Sequence, residues 1–157
     1  MILKLFGCGC ILGAGGLSAF HLVKYQKMKL RVLDCWIDLI FFIRTQIDCY
    51  LMPIGEILRV AEPSLLRGCA CGGKALSLPS LLQNTQRWLE PEAHRLIESF
   101  VREIGGSYRE EQVKRCDHYL ASLSRVREKQ MEALPSKARV SAALCVCASL
   151  GVAILLW

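Results

Sequence analysis

Two long stretches of this chain contain no charged residue. Residues 5–23 (LFGCGCILGAGGLSAFHLV) and 140–157 (VSAALCVCASLGVAILLW) lack Lys, Arg, Asp and Glu, so all 14 acids and 19 of the 20 basic residues fall between Lys24 and Arg139. Polarity is segregated along the chain, which excludes a freely soluble enzyme, a disordered chain and a small secreted disulfide scaffold. Histidine is scarce: His21, His94 and His118 stand apart, none beside a Cys or Ser in a triad-like pattern. Aromatic residues make up 8% of the chain and do not interleave with the basic ones, so no nucleic-acid face is expected. Convincing period-two alternation is missing everywhere, and with it the signature of a half-buried sheet.

What is present is 157 residues with 53% hydrophobic content and a mean hydropathy of +0.32. At about 1.5 Å of rise per residue, each uncharged run extends roughly 27–29 Å as a helix, near the ~30 Å hydrocarbon core of a bilayer. Lys24, Lys27, Lys29 and Arg31 follow the first run, against Lys4 alone before it. That charge order marks a retained anchor rather than a removed leader. Arg125, Arg127, Lys129, Lys137 and Arg139 precede the second run. Both basic flanks therefore face the middle segment. The positive-inside rule then predicts a two-pass protein of the cell membrane, with both termini outside and residues 24–139 in the cytoplasm. The excess of basic charge beside both runs also predicts contact with anionic membrane lipid. Gly9 and Gly13, then Gly15 and Ala19, place small residues one turn apart for close helix packing in the membrane. Ala143, Cys147 and Gly151 repeat that spacing in the second run.

Between the runs the periodicity is helical throughout. Leu30, Leu33, Ile37, Ile40, Ile47 and Leu51 form an apolar stripe interrupted by Arg44 and widened by Trp36, Ile43 and Tyr50. This helix is expected to continue from the first membrane run and to stop near Pro53. A short helix through Ile54, Ile57, Leu58 and Ala61 should follow, closed by Pro63. Residues 64–78 are the hardest to read, with Gly72-Gly73 as a stop. Ser77 and Pro79 predict a helix start, with Leu81, Leu82 and Trp88 buried. Glu90-Pro91-Glu92 opens another helix, whose apolar face is Leu96, Ile97, Phe100, Val101 and Ile104, and Gly105-Gly106 ends it. Ser107-x-x-Glu110 reads as a capping box for a last helix with the stripe Val113, Cys116, Leu120, Leu123, Val126, Met131 and Leu134. Pro135 is expected to separate it from the second membrane run. The predicted architecture is all-α: a cytoplasmic bundle of about six helices over 24–139, flanked by membrane helices at 5–23 and 140–157.

The residues offer no catalytic constellation, cofactor site or metal site. Of the nine cysteines, Cys69 and Cys71 are the only cytoplasmic pair close in sequence, and they lack the further Cys or His ligands a zinc site needs. Free thiols are expected in the reducing cytoplasm. Residues 68–74 (GCACGGK) miss the spacing of a phosphate loop, and Ala75 stands where a hydroxyl residue belongs. A self-assembling membrane pore and a thiol-dependent sensor using Cys69 and Cys71 are the alternatives to an adaptor.

Two motifs carry a family resemblance. Thr45-Gln46-Ile47 followed by Pro53-Ile54-x-Glu56-x-Leu58 resembles the pattern T-E-I-x-Y-x-x-x-P-L-x-E-x-L of stage III sporulation protein AB. Residues 104–112 (IGGSYREEQ) resemble the same family's L-G-x-S-D-R-E-x-Q. Trp88 falls where the family has a tryptophan between them. Gln46, Cys49 and Tyr108 depart from its usual Glu, Tyr and Asp. The resemblance implies a non-enzymatic subunit in the mother-cell membrane around the forespore, within a secretion-like channel complex. It also implies similarity to the inner-membrane platform protein of type II secretion and type IV pilus systems. The partners it implies are a cytoplasmic ATPase, stage III sporulation protein AA, and other membrane subunits of the complex. Pro53, Glu56, Trp88, Gly105, Ser107, Arg109, Glu110 and Gln112 are the motif residues that could meet such a partner. Pro53, Trp88, Gly105, Ser107, Arg109 and Glu110 also have structural readings: breaker, core, helix stop, cap and a first-turn charge pair.

Overall fold

The computed structural model describes residues 2–50, 52–61, 77–106 and 108–156, and the side chains of most residues before 24 and after 136 fall outside that description. The elements are helices α1 (Ile2–Tyr50), α2 (Ile54–Val60), α3 (Leu78–Thr85), α4 (Pro91–Glu103) and α5 (Arg109–Leu156), with a 3-10 turn at Gln86–Trp88. Among the described residues there is no strand, as the missing two-residue periodicity predicts. The chain divides into two compact units: Met28–Lys129, and the terminal segments Met1–Lys27 and Gln130–Trp157 together. Among the described residues no helix is long and apolar enough to cross a membrane.

The helix boundaries follow local chemistry. Pro53 has the extended backbone its ring and position favour, and its carbonyl accepts from the backbone N–H groups of Glu56 (2.9 Å) and Ile57 (3.1 Å), opening α2. Ser77 caps α3 by accepting from the Ser80 N–H at 3.4 Å, with Pro79 in the first turn. Pro91 sits in the first turn of α4 beside Glu92. After α4 the backbone turns through Gly105 at φ +103°, a conformation residues with a β-carbon rarely adopt.

Three expectations need correction. Pro135 does not separate two helices; α5 runs through it as one helix of 48 residues. A proline removes one backbone donor and crowds one carbonyl, and the helix continues on both sides. Tyr50 does not widen the buried stripe but is 66% exposed, because α1 ends there and leaves the ring beyond the packed face. Met131, read as part of the last buried stripe, is exposed. The short helix α2 ends at Val60 with Ala61 buried behind it. Its expected stop at Pro63, and everything read between residues 64 and 76, lies outside the described residues.

The core of the central unit is built from one face of α1 (Val32, Leu33, Trp36, Leu39, Ile40, Ile43, Ile47) against α2, α3, α4 and α5. Leu81 and Leu82 come from α3, Ile97 and Phe100 from α4, and Cys116, Tyr119, Leu123 and Val126 from α5. The Phe100 and Tyr119 rings meet edge to face at 5.6 Å. A polar contact lies inside this core: Trp36 Nε1 donates to Thr85 Oγ1 at 3.1 Å, both residues being wholly buried. The Thr85 hydroxyl in turn donates to the carbonyls of Leu81 (3.0 Å) or Leu82 (3.2 Å), so the buried polar atoms are satisfied. Three ion pairs bridge α1 and α5: Asp34 with Arg127, Arg44 with Asp117, and Asp48 with Arg109. The numbers rise on one helix as they fall on the other, so these stretches run antiparallel. Arg44, which interrupts the apolar stripe in the sequence, is thus the α1 half of an inter-helix pair.

Candidate functional site

Antiparallel pairing brings the end of α1 beside the start of α5, and with them the two sequence motifs. Arg109, in the first turn of α5, points one guanidinium nitrogen at α1. Its Nη2 donates to the Asp48 carbonyl at 2.6 Å and to Asp48 Oδ1 at 2.8 Å. Arg44 reaches Asp117 through two bonds, 2.6 and 3.4 Å, and stands 3.9 Å from Asp48. These pairs are half-exposed, and each is worth little singly; two-point geometry and a shared network raise that. A second tether runs from Gly105 to α2: a β-carbon at 105 would lie 3.1 Å from Ile54 Cδ1. The start of α2, the turn after α4 and the first turn of α5 therefore meet at one end of the bundle.

The surface at this end is specific in character. Tyr108 is 90% exposed and Tyr50 66%. Pro53, Gly55, Glu56, Gly105, Gly106, Arg109 and Glu110 are exposed as well, and Gln112 is half-buried. Trp88 lies elsewhere, half-buried on the 3-10 turn and packed against the core, so it does not join the motif residues at the end of the bundle. Ser107 lies outside the described residues, and so does the capping box expected of it. The surroundings of Gly9, Gly13, Gly15 and Ala19 fall outside the described side chains; only their place on α1 is seen.

The cysteines divide by environment. Cys49, Cys116 and Cys147 are free. Cys35, on the buried face of α1, is disulfide-bonded, which corrects the expectation that thiols are free throughout. No spacing in the sequence announces that bond. Burial, and then the neighbouring Asp117 carboxylate, push the Cys116 thiol up from 9.0 to about 11, so it is protonated and inert at neutral pH. Cys69 and Cys71 lie outside the described residues. Among the described residues no group of three or more His, Cys, Asp or Glu is placed to hold a metal ion.

A family model for stage III sporulation protein AB matches residues 80–157. The chain belongs to that family. The match takes in Trp88 and all of the second motif, while the Thr45–Leu58 motif precedes it and is joined to the matched part by the Asp48–Arg109 and Ile54–Gly105 contacts. No curated protein and no solved structure matches. Membership gives this stage III sporulation protein AB relative a role in sporulation. Of the residues at this end, Asp48 and Tyr50 were not among the sequence candidates for a partner contact. Asp48 carries no signal of its own; Tyr50 lies three residues beyond Ile47, the last buried residue of α1, and periodicity alone cannot locate where burial stops.

Proposed function

We propose that this protein is a non-enzymatic membrane adaptor of a secretion-like complex between mother cell and forespore, linking a cytoplasmic ATPase to the membrane. The observation that carries the reading is the convergence of both family motifs on one exposed end of an all-helical bundle. Most of these motif residues are exposed, so they present a surface as well as shaping the helix ends. An adaptor needs a rigid scaffold with a presented surface and no reacting groups.

A membrane setting is supported by the sequence of the terminal segments and by α5 itself. Val140, Ala143, Leu144, Cys147, Ala148 and Gly151 follow helical spacing and are exposed along an uncharged stretch. Such a face is costly in water and suited to lipid or to another helix. The proposed topology keeps the central unit in the cytoplasm, where the secretion-type ATPase, stage III sporulation protein AA, is the proposed partner, with other membrane subunits of the complex beside it. Co-purification of that ATPase with the full chain in a neutral detergent tests the reading. Retention of the folded, nucleotide-loaded ATPase is expected; its absence from the eluate would sink the adaptor role in this form.

A further inference from the structure

We propose that Cys35, Cys69 and Cys71 make a thiol–disulfide exchange site, in which the Cys35 bond ends on Cys69 or Cys71 and the cysteine left over is the thiol that moves it. Cys35 is disulfide-bonded and 7% exposed, on the core face of α1. Of the nine cysteines, Cys49, Cys116 and Cys147 are free, which leaves Cys8, Cys10, Cys69, Cys71 and Cys145 as partners. A disulfide holds its two α-carbons about 4.4–6.8 Å apart. Cys8 and Cys10 precede Cys35 on the same helix by 27 and 25 residues, roughly 38–40 Å at the rise of a helix. Cys145 follows Arg127, the partner of Asp34, by 18 residues on α5, about 27 Å along that helix. Cys69 and Cys71 remain, and both lie outside the described residues. The chain length allows either. Ala61 and Leu78 belong to the same buried cluster as Cys35. Cys69 and Cys71 stand six to ten residues from Ala61 and from Ser77, a reach of about 20–33 Å. One bond consumes one of the pair, and the other keeps its thiol two residues along the chain from the bridge. Its thiolate attacks a bridge sulfur; a new S–S bond forms as the old one breaks, and the displaced sulfur leaves as a thiolate that takes up a proton. Sulfur, protons and electrons balance within the protein, and no oxidant or reductant is consumed. Disulfides of cytosolic proteins are usually transient rather than permanent. That last argument rests on the proposed topology, whereas the pairing does not.

The test maps the thiols of the full chain, purified in neutral detergent without reductant. The sample is held at about pH 8.5, the ordinary thiol value, quenched with acid and alkylated with N-ethylmaleimide in denaturant. Trypsin then releases residues 32–44 (VLDCWIDLIFFIR) and 68–74 (GCACGGK). The expected product joins these two peptides through one disulfide and carries one maleimide. Fragmentation should place that maleimide on Cys71 in one fraction and on Cys69 in the rest, the two forms that exchange interconverts. One form alone after the incubation would mean a static bridge and overturn the exchange. Cys35 carrying maleimide, or joined to any other peptide, would overturn the pairing. Cys69→Ala with Cys71→Ala should leave Cys35 as a thiol that alkylates in denaturant; a disulfide retained at Cys35 in that variant would also refute the pairing. Because the mapping is done on the purified chain, a reversed orientation found in cells would remove the cytosolic argument and leave the mapped bond standing.

Discussion

Replacing Thr85 by Val tests the Trp36–Thr85 hydrogen bond inside the core. The substitution nearly conserves shape, so no cavity term arises, but it removes the acceptor of the Trp36 indole N–H at 3.1 Å. Both residues are 0% exposed, so water cannot replace the lost partner. An orphaned buried donor costs about 1–3 kcal/mol. The carbonyls of Leu81 and Leu82 lose an extra donor but belong to α3 and its 3-10 continuation, so their loss is small. Thr85→Ser keeps the bond and deletes one methyl, worth about 0.8 kcal/mol. Urea denaturation of the full chain in detergent, followed by the helical signal in circular dichroism, should therefore rank valine as costlier than serine. In a Trp36→Phe background the donor is already gone, and the valine should cost roughly nothing beyond error. A penalty below about 0.5 kcal/mol in both backgrounds would show that the bond contributes no stability, against the asymmetry argued from its burial.

Gly105→Ala should destabilise by about 1–2 kcal/mol, because φ +103° excludes a β-carbon and Ile54 Cδ1 would lie 3.1 Å from it. Gly106→Ala, with nothing within 4 Å and ordinary φ, is the neutral control in the same melting experiment. Cys49, being exposed, should alkylate quickly and the buried Cys116 only on unfolding, as mass mapping of the modified chain would read. The raised Cys116 value also fixes a sign: its contribution is intact below the ordinary thiol value of 9.0 and is lost as pH climbs towards about 11, so stability should fall across that window in the unmodified chain and less so in Cys116→Ala. For topology, Cys49 is the useful reporter because it is exposed; a membrane-impermeant maleimide should reach it only after permeabilisation, and labelling of intact cells would reverse the proposed orientation.

The helical character of the chain was legible because periodicity reports burial directly. The stripe from Leu33 to Ile47 is the face that forms the core, and the stops at Pro53 and Gly105 come from backbone restrictions that operate without tertiary help. Pro135 misled for a complementary reason. One missing hydrogen bond decides the fate of a short helix but is a small fraction of a long one, and nothing local tells how long a helix will be. Arg44 in an apolar stripe reads as an interruption until Asp117, 73 residues away, is seen to receive it. The Cys35 bond is of the same kind: its meaning lies in a neighbour that spacing does not announce.

Why two motifs some fifty residues apart belong together is a question of register. Arg44–Asp117 and Asp34–Arg127 fix α1 against α5 in the same offset, since each pair of numbers sums to 161. Under that offset Asp48 should face residue 113, which is Val113, yet it pairs with Arg109, one turn nearer the helix start. A long arginine side chain reaching back along the helix surface spans that turn, and it does so because the start of α5 supplies no other cation among residues 105–112. Two bonds from a single guanidinium nitrogen then join the last turn of α1 to the first turn of α5, where the backbone carbonyl of Asp48 would otherwise go without a helical partner. Arg109 thereby satisfies a helix end and consumes the positive charge of the surface at once. Lysine at 109 would keep the charge but offer a single point of attachment on a flexible stem. Arg109→Lys should accordingly loosen the junction without changing the net charge. Hydrogen exchange at the end of α1 is the measurement, and faster exchange at Cys49 and Tyr50 with the core amides of α1 unchanged is the expected result. Exchange that stays as slow as in the unmodified chain would mean that Ile54 packing under Gly105, rather than Arg109, holds the two motifs in place.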